Sequence, residues 1–124
     1  MDNSVFKKSK EINELLKKIR NIDNNHFRFF YRKDELKNPY NFFNELEYDL
    51  TDAINEVKKL TVKDYLRCLI DSENRFMFMY CFIKKIKEYI VFIKLSLIEK
   101  DNKIVYIISF HKAEKDELDK RPYK

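Results

Sequence analysis

Three consecutive runs in the second half of the chain, RFMFMYCFIKK (75–85), YIVFIKLSLI (89–98) and KIVYIISFHK (103–112), consist mainly of aromatic, β-branched and other apolar residues. Runs of this length and composition read as strands. The last two are separated only by EKDN (99–102), a polar stretch that reads as a hairpin. In the hairpin, Val91, Ile93, Leu95 and Leu97 form one apolar set and Ile104, Tyr106, Ile108 and Phe110 another. Burying both sets on one core places Leu97 opposite Tyr106 and makes Asp101-Asn102 a two-residue turn. The same register sets Lys94 opposite Ser109 and Phe92 opposite His111 on the other face.

The first half carries helical spacing. Ile12, Leu15, Leu16, Ile19 and Ile22 recur on one side of a helix, with Asp2, Asn3 and Ser4 as polar capping candidates. NNHFRFFYRKD (24–34) reads as a short strand or extended segment. Asn38-Pro39 is a helix-start signal, and Phe43, Leu46 and Leu50 extend an apolar stripe. Thr51 opens a further stretch with Ala53, Ile54, Val57 and Leu60. Thr61 and Asp64 have capping-box spacing ahead of Tyr65, Leu66, Leu69 and Ile70, which predicts another helix ending at DSEN (71–74). Helices followed by an antiparallel meander define an α+β fold, with N-terminal helices packed on a small antiparallel β-sheet. A chain of 124 residues with 44% apolar residues suits one domain. Its expected divisions are a mainly helical 1–75, a sheet over 76–112 and a C-terminal tail over 113–124.

Glycine is absent and proline occurs only at Pro39 and Pro122. Turns must therefore rely on Asn, Asp and Ser. Glycine-rich phosphate loops and dinucleotide fingerprints are excluded, so no nucleotide cofactor of those kinds is expected. Cys68 and Cys81 are the only cysteines, too few for a disulfide framework or a cysteine-based metal site; both read as buried thiols. No cofactor and no metal are expected.

The apolar stretches Phe76–Ile83 and Tyr89–Ile98 are too short to cross a bilayer, and the N-terminus lacks a hydrophobic signal segment. A soluble, cytoplasmic protein without a membrane partner is expected. There are 26 Lys and Arg against 21 Asp and Glu, a net +5 that suits an anionic partner such as RNA or an acidic protein.

The predicted hairpin brings His111, Ser109 and Lys94 together on one half-exposed face. Imidazole moves protons near neutral pH and an ammonium stabilises charge on a phosphate, so the trio suits RNA, whose own 2′-hydroxyl supplies the nucleophile. A solvated strand face with polar residues is the plainer alternative and the commoner one. In the first of the three runs, Phe76, Phe78, Tyr80, Phe82 and Lys84 alternate with Met77, Met79, Cys81 and Ile83. If the second set faces the helices, the aromatic set can stack on bases; more often such a stripe is itself core under a helix. Lys84, Lys85 and Lys87 form an adjacent basic turn, either RNA-steering or simply solvated.

LTVKDY (60–65), FIK (82–84), FIKLSL (92–97) and ISFHKAE (108–114) followed by RPYK resemble the pattern of the MqsR-like toxins, the motility quorum-sensing regulator type of bacterial toxin–antitoxin systems. The resemblance runs from about Phe29, with Arg32 after the FFYR segment, to the C-terminus. It implies a RelE-like fold, metal-independent cleavage of single-stranded mRNA and neutralisation by a cognate antitoxin. Lys94 corresponds to the family's strand lysine, and Arg67 falls on a helix lysine. His111 falls where the founding toxin has a lysine and some relatives a histidine. Phe92 stands at a tyrosine position, Met77 at a glutamine position and Ile83 at a glycine position. Lys94, His111 and Arg67 are thus the catalytic candidates, with Lys84, Lys85, Lys87, Ser109 and Tyr80 as RNA contacts. The competing expectation is a non-catalytic interaction protein, such as a mobile-element inhibitor binding a nucleic-acid-processing partner. A DNA-binding regulator fits less well, for want of a helix-turn-helix with a basic recognition helix.

Overall fold

The structure, a computed structural model, describes residues 4–30, 39–73 and 76–124. Among the described residues it is a mixed α+β fold with a six-stranded sheet and three α-helices. The strands are β1 (Ser4–Val5), β2 (Phe27–Phe29), β3 (Tyr65–Ile70), β4 (Phe78–Ile86), β5 (Tyr89–Ile98) and β6 (Ile104–Lys112). The helices are α1 (Ser9–Arg20), α2 (Pro39–Leu46) and α3 (Leu50–Lys58). The sheet order is β1-β3-β4-β5-β6-β2, antiparallel throughout except for the parallel β2–β6 pair. The first 75 residues thus contribute strands to both edges as well as the helices.

α1 buries Ile12, Leu15, Leu16 and Ile19, the face its spacing predicts. Its start differs from expectation: the N-cap is Lys8, without a side-chain cap, and Ser4 belongs to β1. Asp2 and Asn3 lie outside the described residues. Glu11 in the first turn and Lys17, Lys18 and Arg20 in the last complement the helix dipole. α2 opens with Pro39, as the Asn38-Pro39 signal predicts, and buries Phe43 and Leu46. Leu50 leaves that stripe: it starts α3 and is 43% exposed. Asp49 caps α3 through a reciprocal box with Asp52, the two bonds measuring 2.8 and 3.0 Å.

Two positions show how the chain turns without glycine. Glu47, just past α2, has φ 59°. Its N–H donates to the Asn44 carbonyl and that of Tyr48 to the Phe43 carbonyl, the paired bonds of a helix end that normally selects glycine. Lys87, in the two-residue link between β4 and β5, has φ 55°, and its ammonium donates to the Leu46 carbonyl, covering an orphan acceptor at the end of α2.

The predicted helix over 65–70 is a strand. The Thr61–Asp64 capping box is present, but it closes a single 3-10 turn over Val62–Asp64, and the chain then becomes β3. A six-residue apolar run does not separate the two periods; β1 and β4 supply backbone partners on both sides, which decides for strand. Asp71 makes the turn that follows, its carboxylate accepting from the Glu73 and Phe76 amides at 3.1 and 2.8 Å.

All three helices pack on one face of the sheet, over Cys68, Phe82, Val91, Ile93, Leu95, Val105, Ile107 and Phe110. The Phe110 ring lies against Phe43 at 5.2 Å and Phe42 at 6.3 Å. In β4 it is therefore Phe78, Tyr80 and Phe82 that face the helices, whereas Cys81 and Ile83 face the other way. Phe76, ahead of the strand, instead meets Tyr106.

The β5–β6 register agrees with the predicted one from Val91 to Lys94 and departs from it nearer the turn. Lys94 opposes Ser109 and Phe92 opposes His111, but a bulge after Lys94 leaves Ile108 as the extra residue and sets Leu97 opposite Val105. Val105 and Ile107, not Ile104 and Tyr106, then face the helices together with Phe110. Both alternating sets of β6 are apolar up to Ile108, so pattern does not choose between them. The bulge lets Val105, Ile107 and Phe110 share one face.

Candidate functional site

The sheet face away from the helices is covered in part by the C-terminal segment after β6, whose Ala113 and Leu118 rest on Leu66, Cys81 and Ile83. Between this segment and the sheet is a cavity of about 420 Å³, lined by Arg67, Phe92, Lys94, Ser109, His111, Ala113, Glu114, Lys115, Glu117 and Lys120.

Strand register builds its floor. Arg67 pairs with Cys81, Cys81 with Lys94 and Lys94 with Ser109, a row crossing β3, β4, β5 and β6. Arg67 joins that row because a bulge between Tyr65 and Arg67 makes Leu66 the extra residue of β3. Without it the strand's alternation would turn the guanidinium toward the helices. His111, two residues beyond Ser109, occupies the same face diagonally from Lys94, at a typical separation of about 7 Å.

His111 is 8% exposed, and its ring stacks on Phe92 with centroids 5.5 Å apart and planes 29° apart. Its Nδ1 lies 2.7 Å from the Lys112 carbonyl. A carbonyl only accepts, so Nδ1 carries a proton and, in the neutral ring, Nε2 is the basic nitrogen. Ser109 is fully buried and Lys94 half-buried. Arg67 Nη2 donates to Glu117 Oε2, and Lys120 Nζ stands 3.9 Å from the same oxygen. The tail is held at its far end by Arg121, 3.8 Å from Asp64, and by Tyr123, stacked on Tyr65 at 5.9 Å with its hydroxyl donating to the Lys7 carbonyl.

Cys81 belongs to this row, between Arg67 and Lys94. Burial pushes its thiol up to about 11, against the opposing pull of Lys94 and Arg67, so it stays protonated at neutral pH. Burial pushes the Cys68 thiol to about 12 on the helix side. Among the described residues no three His, Cys, Asp or Glu side chains converge on a point that could hold a metal ion. Nor, among them, is any helix long and apolar enough to cross a membrane.

Of the residues singled out from sequence, Lys94, His111, Arg67 and Ser109 come together in the cavity. Tyr80, Lys84 and Lys87 do not. Tyr80 packs among the core residues under the helices, where burial raises its hydroxyl to about 12. Lys84 pairs with Val91 on that same face, and Lys87 is engaged at the end of α2, 5.0 Å above the Tyr48 ring. Lys85 is exposed, on the cavity's face but outside its lining. Arg32 lies outside the described residues. The sequence reading missed the tail's Glu117, Lys115 and Lys120. Charged residues after a strand have no periodicity to follow, and the only sequence signal is that they come soon after His111.

The cavity lining holds four basic side chains, Arg67, Lys94, Lys115 and Lys120, against two carboxylates, Glu114 and Glu117. An anion is the ligand this balance favours. No family model, curated protein or solved structure matches the chain.

Proposed function

We propose that this chain is an endoribonuclease toxin of the MqsR-like type, with a RelE-like arrangement of helices on its sheet. In this reading it acts in the cytoplasm on single-stranded mRNA and is neutralised by a cognate antitoxin. The observation that carries this reading is the side-by-side presentation of Arg67, Lys94 and His111 on one sheet face beside the cavity.

In this reading a scissile phosphate lies over Lys94 and Arg67. His111 Nε2 takes the proton of the adjacent 2′-hydroxyl, whose oxygen bonds to phosphorus as the bond to the 5′-oxygen breaks. The Lys94 ammonium gives a proton to the departing 5′-oxygen, and Arg67 holds the charge that builds on the non-bridging oxygens. The products are a 2′,3′-cyclic phosphate and a 5′-hydroxyl. Each proton and bond is accounted for with side chains and the RNA itself, so the step needs no metal. Lys84, on the opposite face, has no part in it.

Purified protein incubated with single-stranded RNA in chelator tests this. Cyclic-phosphate ends are expected, with cleavage reduced about 10²–10⁴-fold in His111→Ala, the usual span for a positioned acid or base. Intact RNA under these conditions, with a folded protein, overturns the reading. The engagement of Arg67 by Glu117 favours a second reading, a binding protein whose tail fills the cavity. Host toxicity that disappears in a folded Lys94→Ala variant argues against that alternative.

A further inference from the structure

Phe6 is the most exposed large apolar side chain among the described residues, at 79%. Its position is set by its neighbours on both sides. Ser4 pairs with Leu69 and Val5 with Cys68, so the next residue along is level with Arg67. Side chains alternate along an extended chain. Val5 shares the helix-covered face with Cys68, and Lys7 sets its ammonium 3.9 Å from the Phe78 ring on that same face. Phe6, between them, turns to the cavity's face. The row of Ser109, Lys94, Cys81 and Arg67 thus continues one strand further, about 5 Å on, to an exposed phenyl ring.

Positive charge that follows a phosphodiester backbone, beside an aromatic plate that stacks on a base, is how proteins hold single-stranded nucleic acid. The cavity supplies the charge and Phe6 the plate. We infer that Phe6 stacks on the base next to the phosphate held by Arg67 and Lys94, and so sets where the RNA strand leaves the cavity. This rests on the cavity being an RNA site. Stacking discriminates little among bases, so the contact positions the strand more than it reads sequence.

The chain has no tryptophan, so Phe6→Trp carries a single indole reporter. The probe is a fluorescein-labelled single-stranded oligonucleotide with 2′-O-methyl riboses, which lacks the nucleophile and is not cut. Indole emission is expected to fall along the same curve as the rise in probe anisotropy. Phe6→Ala is expected to weaken binding about tenfold, the value of one base stack, with an unchanged thermal midpoint. Removing the stacked base should cost the natural protein about tenfold and Phe6→Ala nothing further. Binding by anisotropy with unchanged indole emission, and equal affinity for Phe6→Ala and the natural chain, overturns the inference while leaving the RNA reading standing. A flat anisotropy for the natural protein overturns both, so the two failures are told apart.

Discussion

The Arg67 guanidinium is held by the Glu117 carboxylate, fifty residues further along the chain, at the edge of the cavity that also contains Lys94 and His111. Glu117 places one carboxylate against the cation that the proposed mechanism assigns to a phosphate. An incoming anion must displace it or share the guanidinium with it.

Glu117→Gln removes the competing charge while keeping the shape. It is expected to tighten binding of a single-stranded oligonucleotide several-fold at low salt, with the advantage shrinking as salt screens the site. Weaker binding would instead make Glu117 the residue that positions Arg67. Titration at two ionic strengths distinguishes these outcomes.

Phe110, on β6, is fully buried against α2, with Phe42 and Phe43 as ring neighbours. Phe110→Ala should cost about 3–5 kcal/mol through lost transfer energy and the cavity left behind. Urea unfolding followed by circular dichroism measures it. A loss under 1 kcal/mol would mean that α2 does not seal this part of the core.

Glu47 adopts φ 59° at the end of α2, where a side chain carries a steric cost and glycine does not. Glu47→Gly is therefore expected to stabilise the fold by up to about 1 kcal/mol, contrary to the usual effect of adding glycine. Lower stability in the same urea assay would contradict the Glu47 backbone geometry.

The pH dependence of stability should be alkaline. Burial raises Cys81 to about 11 and Cys68 to about 12 from an ordinary 9.0, and raises Tyr48 and Tyr80 to about 12 from 10.0. In the folded state these groups hold their protons to higher pH than in the unfolded state. Their stabilisation is complete below about pH 9 and is lost as pH rises toward 12, with a slope of at most about 1.4 kcal/mol per pH unit for each group. Thermal midpoints recorded from pH 7 to 11 should fall above pH 9, and Cys68→Ala and Cys81→Ala should each flatten that fall.

Much of this architecture was legible because local chemistry repeats itself. The periods of α1 and α3, the proline at the start of α2, the Thr61–Asp64 box and the three long strands all follow from residues within a turn or two of one another. The apolar pattern of the hairpin predicts the pairing of Lys94 with Ser109 and of Phe92 with His111, but the pairing is reached through the bulge at Ile108: continued from the Ile98–Ile104 pair without it, Lys94 would oppose Ile108. The chain by itself thus placed a lysine, a serine and a histidine together on a strand face expected to be half-exposed, and only the tertiary structure buries Ser109 and His111 there. Tertiary structure decided which apolar set of β4 the helices cover, that 65–70 is a strand, that β2 lies parallel to β6, and that Glu117 crosses to Arg67. The physical reason is that period-two apolar patterning is satisfied equally by either face and either partner. Only competition among distant segments for the same buried area, resolved here by bulges at Leu66 and Ile108, selects one arrangement.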